Sequence, residues 1–177
     1  GHDLWWRTFN EVAGDYPDVE IDYNHVDACC MWIVKNPEFY DVIVTTNMFG
    51  DIISDEASVL SGSLGLLPSA SIGEGKSLFE PIHGSYPQAT GKDIANPIGS
   101  ILSVSLMLEY FGLQKEADNV KDAVNWTLEN GFVTKDIDPV NFYFTSTIGE
   151  LICDFIFHKI PGGVNKANIE LRKSTII

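Results

Sequence analysis

The sequence is short of basic residues: 11 lysines and arginines stand against 25 aspartates and glutamates, a formal charge of -14 over 177 residues. That balance repels nucleic acid and anionic membranes, so neither is expected as a partner. The acidic residues are dispersed, which makes solubility the plainer meaning of the charge, although it also suits a protein that gathers divalent cations. Cysteines are few. Cys29, Cys30 and Cys153 form neither a disulfide framework nor a zinc-ligand spacing, and a reducing cytoplasm is their simplest home. No apolar run approaches the roughly 20 residues that span a bilayer, and the N-terminus lacks the basic-then-apolar order of a secretory signal. Repeats, low-complexity segments and a G-x-G-x-x-G fingerprint are absent, the last removing the usual dinucleotide-binding turn.

What remains is an ordinary globular composition, 45% hydrophobic, in a chain long enough for one or two domains. Leu4, Trp5, Phe9 and Val12 recur at helical spacing. After Pro17, residues 19–26 (VEIDYNHV) read as a strand, and ACCMWIVKN as a helix ending at Pro37. Residues 41–46 (DVIVTT) read as a short buried strand, followed by a helix after Gly50. Gly65 and Pro68 interrupt that helix. Pro97 opens a strongly apolar helix over 98–111, expected to be buried on most sides. KEADNVKDAVNWTLENG is an amphipathic helix that Gly131 can cap, and a last helix runs from Thr147 to about Ile160, stopped by Pro161, Gly162 and Gly163. The tail, residues 164–177, alternates enough for an edge strand or arm. Two strand candidates in the first 60 residues are too few for a sheet with its own core. With the opening GHDLWW, which lacks a Met, this points to a piece of a larger fold.

Residues 47–55, NMFGDIISD, carry the first chemistry. Asp51 and Asp55 fall on one helical face, where like charges repel unless something positive lies between them. Taken alone, the pair is more often a solvated face or a complement to the helix dipole than a metal site. The second segment is residues 77–97, SLFEPIHGSYPQATGKDIANP. It is dense in Gly, Pro, Ser and Asn, as a long surface loop would be, yet it holds Glu80, His83, Ser85, Gln88, Lys92 and Asn96. Long loops in compact domains are usually functional or disordered, and the apolar sequence on both sides argues against disorder.

Together NMFGDIISDEAS, the following SGSLGLLPSAS, the EPIHGS loop with GKDIANP, and IGSILSVSLMLEYFG resemble the β-decarboxylating dehydrogenases, the family that acts on 3-isopropylmalate, isocitrate, homoisocitrate and tartrate. Their order and separation match the second half of the family throughout, closest in wording to the isopropylmalate members. The resemblance implies an α/β fold of two domains around a shared sheet with only the C-terminal half present: residues 1–61 would belong to the dimerising, substrate-side domain and 62–177 to the cofactor side. A missing N-terminal half would hold the catalytic tyrosine and lysine and the arginines that clamp the substrate, leaving no catalytic residue identified here. The intact protein is then expected to be a homodimer that uses NAD and Mg2+ or Mn2+ on a small 2-hydroxy acid.

Residue by residue, Asp51 and Asp55 match the paired metal ligands of the family, and Asp27 in HVDACCM matches a third, presented from the neighbouring subunit. On its own Asp27 reads better as a helix cap before ACCMWI. An all-oxygen site of this kind suits magnesium or manganese. His83, Gly84 and Ser85 match residues that receive the adenosine end of NAD, Asn96 one that hydrogen-bonds the adenine, and Glu80 an acidic residue near the nicotinamide. Gln88 departs from the pattern, because NAD-dependent members usually carry Asp there. An aspartate accepts two ribose hydroxyls and repels a 2′-phosphate, whereas glutamine repels nothing. No arginine lies in the loop to favour NADP, only Lys92. The rival reading from another class is a non-catalytic module that binds nucleotide or metal, or that serves in dimerisation.

Overall fold

The computed structural model describes residues 1–158. Its architecture is mixed α/β, and the chain divides into two compact units, Gly1–Glu56 and Ala57–Ile177.

The first unit contains α1 (His2–Ala13), α2 (Val26–Lys35) and α3 (Asn47–Ala57), whose last residue passes into the second unit. The stretches 19–26 and 41–46, expected to be strands, are not strands in the structure: residues 20–25 and 42–46 run between the helices without regular secondary structure. A strand is completed by a neighbour's N–H and C=O groups, and among the described residues neither stretch has a paired neighbour. Val42 and Val44, expected to be buried, are 82% and 57% exposed. The apolar interior of this unit is small, made of Cys29, Ile33 and Ile53. Aromatic contacts tie it together, with Trp6 against Tyr23 at 4.8 Å and Tyr23 edge-on to His25 at 5.2 Å. α2 stops at Asn36, before Pro37, as proline requires. α3 begins at Asn47, earlier than the expected start after Gly50. All three cysteines are free. The Glu56 carboxylate beside Cys30, with burial, pushes that thiol up to about 11, so it stays protonated and unreactive at neutral pH.

The second unit packs α4 (Ile98–Tyr110), α5 (Gln114–Glu129) and α6 (Thr145–His158) around Ile98, Ala123, Val124, Phe132, Tyr143, Ile148, Leu151 and Ile152. α5 is amphipathic as its sequence implies, burying Ala117, Val120, Ala123, Val124 and Thr127. α4 is less enclosed than its composition suggested. Its buried positions are Ile98, Gly99, Ser103 and Ser105, while Val104 is exposed. The serine hydroxyls donate to the carbonyls of Gly99 and Ala117, so neither is left unpaired. α4 and α5 are each followed by a left-handed glycine. The N–H groups of Gly131 (φ 75) and Gly112 (φ 74) donate to the Leu128 and Glu109 carbonyls, and the next N–H groups, of Phe132 and Leu113, to those of Thr127 and Leu108, a turn that a residue without a Cβ accepts freely. Glu109 and Lys121 form an ion pair from α4 to α5.

A two-stranded antiparallel sheet covers α4. Strand β1 (Pro68–Ser71) pairs with β2 (Leu78–Pro81), Ser69 opposite Glu80. The expected loop over 77–97 therefore begins as a strand, and its partner comes from Pro68–Ser71, just past the point where Gly65 and Pro68 were expected to interrupt the helix. α4 approaches this layer so closely that a Cβ on Gly99 would lie 3.0 Å from the Gly65 and Leu67 carbonyls. The predicted helix end near Ile160, the stop at Pro161, Gly162 and Gly163, and the tail strand lie outside the described residues. No helix among the described residues is long and apolar enough to cross a membrane.

Candidate functional site

In the first unit, α3 places Asp51 and Asp55 one turn apart, both exposed. Asn47 donates to one oxygen of the Asp51 carboxylate at 2.8 Å. Asp27 is exposed in the first turn of α2, where it accepts only from its neighbour Ala28 at 2.9 Å. His25, not Asp27, is the N-cap, so the capping role suggested by the isolated residue is not what the structure shows. Among the described residues no three His, Cys, Asp or Glu side chains are grouped to hold a metal, so Asp27, Asp51 and Asp55 do not converge within one chain. The donor set suits a hard divalent cation, since Asp51 and Asp55 offer only oxygen at helical-turn spacing.

In the second unit, Glu80 lies on the outward side of β2, while Phe79 and Pro81 alternate inward. Beyond the strand, Gly84, Ser85 and Gln88 are exposed, Gln88 within a single helical turn over Pro87–Ala89. His83 is half-buried with Nδ1 3.0 Å from the Gly84 carbonyl. A carbonyl only accepts, so Nδ1 carries the proton, and the Nε2 of a neutral ring is left an acceptor. That Nε2 is buried and has no partner among the described residues. An orphaned acceptor of this kind fits a ligand that brings hydroxyl or amino donors.

Asn96 is engaged on both ends of its amide. Its Oδ1 accepts from the Ile98 N–H at 3.0 Å, capping α4, and its Nδ2 donates to Asp136 at 3.0 Å. Ser63 donates to the same Asp136 oxygen, so one carboxylate joins three distant segments. Burial pushes the Asp136 carboxyl up, but the hydrogen bonds it accepts, those from Ser63 and Asn96 among them, outweigh it and hold the group below its ordinary 3.8. Gly65 is required at this junction, because a Cβ there would stand 2.7 Å from that of Asn96. Asp93 reaches the first turn of α6, accepting from Ser146. Sequence reading missed Ser63, Gly65, Asp93, Asp136 and Ser146. Ser63, Gly65 and Asp93 stand within SGSLGLLPSAS and GKDIANP, but the partners lie far along the chain, so those runs gave no sign of these contacts.

A family model described as isocitrate/isopropylmalate dehydrogenase matches residues 1–152. The 3-isopropylmalate dehydrogenase of Thermotoga maritima is 52% identical over 153 residues, 85% of this chain and 43% of that protein. The homoisocitrate dehydrogenase of Methanocaldococcus jannaschii is 47% identical, over 90% of this chain and 45% of that protein. Among solved structures, isocitrate dehydrogenase from Methylococcus capsulatus superposes with a TM-score of 0.83 at 41% identity, over 87% of this chain and 46% of that one. The fold is thus that of the β-decarboxylating dehydrogenases, of which the chain presents a part. The chain belongs to the isocitrate/isopropylmalate dehydrogenase family. 3-Isopropylmalate dehydrogenase is the commonest name among its most similar curated relatives, and the chain spans about two fifths of their length.

Proposed function

We propose that the chain is the C-terminal portion of a cytoplasmic, homodimeric enzyme that oxidises and decarboxylates 3-isopropylmalate to 2-oxoisocaproate in leucine biosynthesis, using NAD and Mg2+ or Mn2+. The observation that carries this reading is the 52% identity to a 3-isopropylmalate dehydrogenase over 85% of the chain, within a family match over residues 1–152 that takes in Asp27, Asp51, Asp55 and the whole 77–97 segment. Residues 1–61 would serve the dimerising, substrate-side domain and 62–177 the cofactor side.

In this reading Asp51 and Asp55, with Asp27 of a second copy, hold the cation. The bound cation would supply positive charge to the hydroxyl oxygen that becomes a carbonyl and then to the enolate left when carbon dioxide departs. The hydrogen bond from Asn47 restrains the Asp51 side chain before the ion arrives. On the nucleotide side His83 Nε2 accepts from the cofactor, Gly84 lets the loop backbone approach it closely, Ser85 lies beside it at the adenosine end, and Asn96, fixed by Asp136 and Ile98, offers its remaining N–H to the adenine. Glu80 faces the nicotinamide end. Gln88 binds ribose without the charge that would reject a 2′-phosphate, so discrimination against NADP is weaker than with an aspartate. The exposed extended stretches 20–25 and 42–46 are edges to which strands of a preceding portion would pair.

The 47% identity to a homoisocitrate dehydrogenase over 90% of the chain favours homoisocitrate as the second substrate to try. The test is NADH formation from 3-isopropylmalate with Mg2+, on this chain alone and after joining it to the preceding portion of a relative. Activity is expected only in the joined protein, and there Asp51→Ala and Asp55→Ala should each abolish it. Turnover by the chain alone would refute the division of labour. A well-folded joined protein that prefers homoisocitrate or isocitrate would refute the substrate. One that turns over no hydroxy acid would leave the non-catalytic reading standing.

A further inference from the structure

Asp93 is the only described residue other than glycine with positive φ, at 54°. Aspartate tolerates the left-handed region better than most residues, yet it is uncommon there. In that conformation both its carboxylate and its carbonyl face the first turn of α6. The Ser146 N–H donates to Oδ1 at 3.0 Å and the Ser146 hydroxyl to Oδ2 at 2.6 Å. The Thr145 N–H donates to the Asp93 carbonyl at 2.9 Å, and the Thr145 hydroxyl to that of Ala95 at 2.5 Å. Two of these four bonds occupy backbone N–H groups that a helix start leaves unpaired, and the other two tie down the hydroxyls beside them. They also fix the end of the segment that begins at His83. α6 itself is anchored in the core through Ile148, Leu151 and Ile152, so its rigidity is passed to the segment.

We propose that Asp93 is a positioning residue, which fastens the segment carrying His83, Ser85, Gln88 and Asn96 to α6 so that it is ordered before a nucleotide arrives. This rests on the reading of that segment as the NAD site. A preordered segment binds more tightly than one that must be immobilised on binding. A mere cap of α6 would leave the affinity unmoved.

The test uses the whole chain with Asp93→Ala, Asp93→Asn and Ser146→Ala, read by amide hydrogen exchange and by titration with NAD. In Asp93→Ala, exchange over residues 83–92 should quicken about tenfold and NAD affinity should fall by about the same factor, the scale of one charge-assisted bond. Asparagine keeps the left-handed backbone and an acceptor oxygen, so Asp93→Asn should return most of the affinity. Ser146→Ala leaves the strained backbone untouched and should weaken binding in the same direction. Protection of α6 from Ile148 onward should be unchanged in all three. Wild-type affinity in Asp93→Ala, with faster exchange confined to Thr145 and Ser146, would reduce Asp93 to a cap and overturn the proposal. If the unaltered chain binds no NAD, the nucleotide reading falls and the positioning role falls with it. The exchange data then still show whether Asp93 fastens the segment.

Discussion

Replacing Gly65 by alanine tests the junction on which Asn96 depends. The added Cβ would meet the Asn96 Cβ at 2.7 Å and its Cγ and Nδ2 at 3.2 Å. Distances that short are not sustained, and the Cβ of Asn96 is held by the backbone just before α4, so Asn96 must move. Moving it breaks the bond from the Ile98 N–H and strains the bond to Asp136. Overpacking of this kind costs about 1–3 kcal/mol, and losing the bond that caps a helix about 0.5–2 kcal/mol. Because one displacement causes both, the two overlap, and a total of about 2–3 kcal/mol is expected. Urea unfolding followed by far-ultraviolet circular dichroism would measure it. The decisive control is Asn96→Gly, which removes the atoms struck. It loses the cap by itself, but Gly65→Ala added to it should cost almost nothing more. A Gly65→Ala protein within about 0.5 kcal/mol of its parent, the range of neutral surface changes, would refute this account of the junction. So would a penalty equally large in the Asn96→Gly background.

Three further outcomes are expected. The Asp136 carboxyl is held below its ordinary 3.8 in the folded chain, so its stabilising effect is complete above that value and lost as pH falls through the lower folded pKa. An Asp136→Asn protein should therefore lose less stability than its parent between about pH 4 and pH 2, in a comparison of urea midpoints. Ile148, fully buried between the helices of the second unit, should cost about 2–5 kcal/mol when cut to alanine, whereas Val42→Ala, at a position 82% exposed, should stay within about 0.5 kcal/mol. Gly131→Ala should cost about 1–2 kcal/mol by forcing a side chain into the left-handed region that ends α5, with the loss read from the thermal midpoint.

The helices were legible because their signals are local. Pro37 stops α2, Gly131 ends α5, and the spacing of Ala117, Val120 and Val124 declares the buried face of α5. The extended stretches were not, because a run such as DVIVTT encodes a willingness to pair and not the neighbour it pairs with. Val42 shows the gap: its side chain is that of a buried strand, and its surroundings among the described residues supply no partner. β1 failed the other way. Its residues, PSAS, have little strand propensity, and pairing with Leu78–Pro81 over the close surface of Gly99 makes the strand. Tertiary context there outweighs preference.

The candidate site divides along the same line. Asp51 and Asp55 were readable because helical periodicity alone stacks them, and His83 to Gln88 because glycine and proline mark a loop. What holds the loop was invisible. Asp93 and Ser146 are 53 residues apart, and Asp136 gathers Ser63 and Asn96 from 73 and 40 residues away. Each of these carboxylates, read in sequence, is one more acidic residue in a chain of -14, with solvation as its plainest explanation. In the fold they do different work. Their oxygens take up hydroxyl and amide donors at α6 and beside α4, converting surplus charge into fixed geometry at the segment expected to meet the cofactor. The net charge is thus an incomplete description of the acidic residues, since solvated ones serve solubility while Asp93 and Asp136 act as struts.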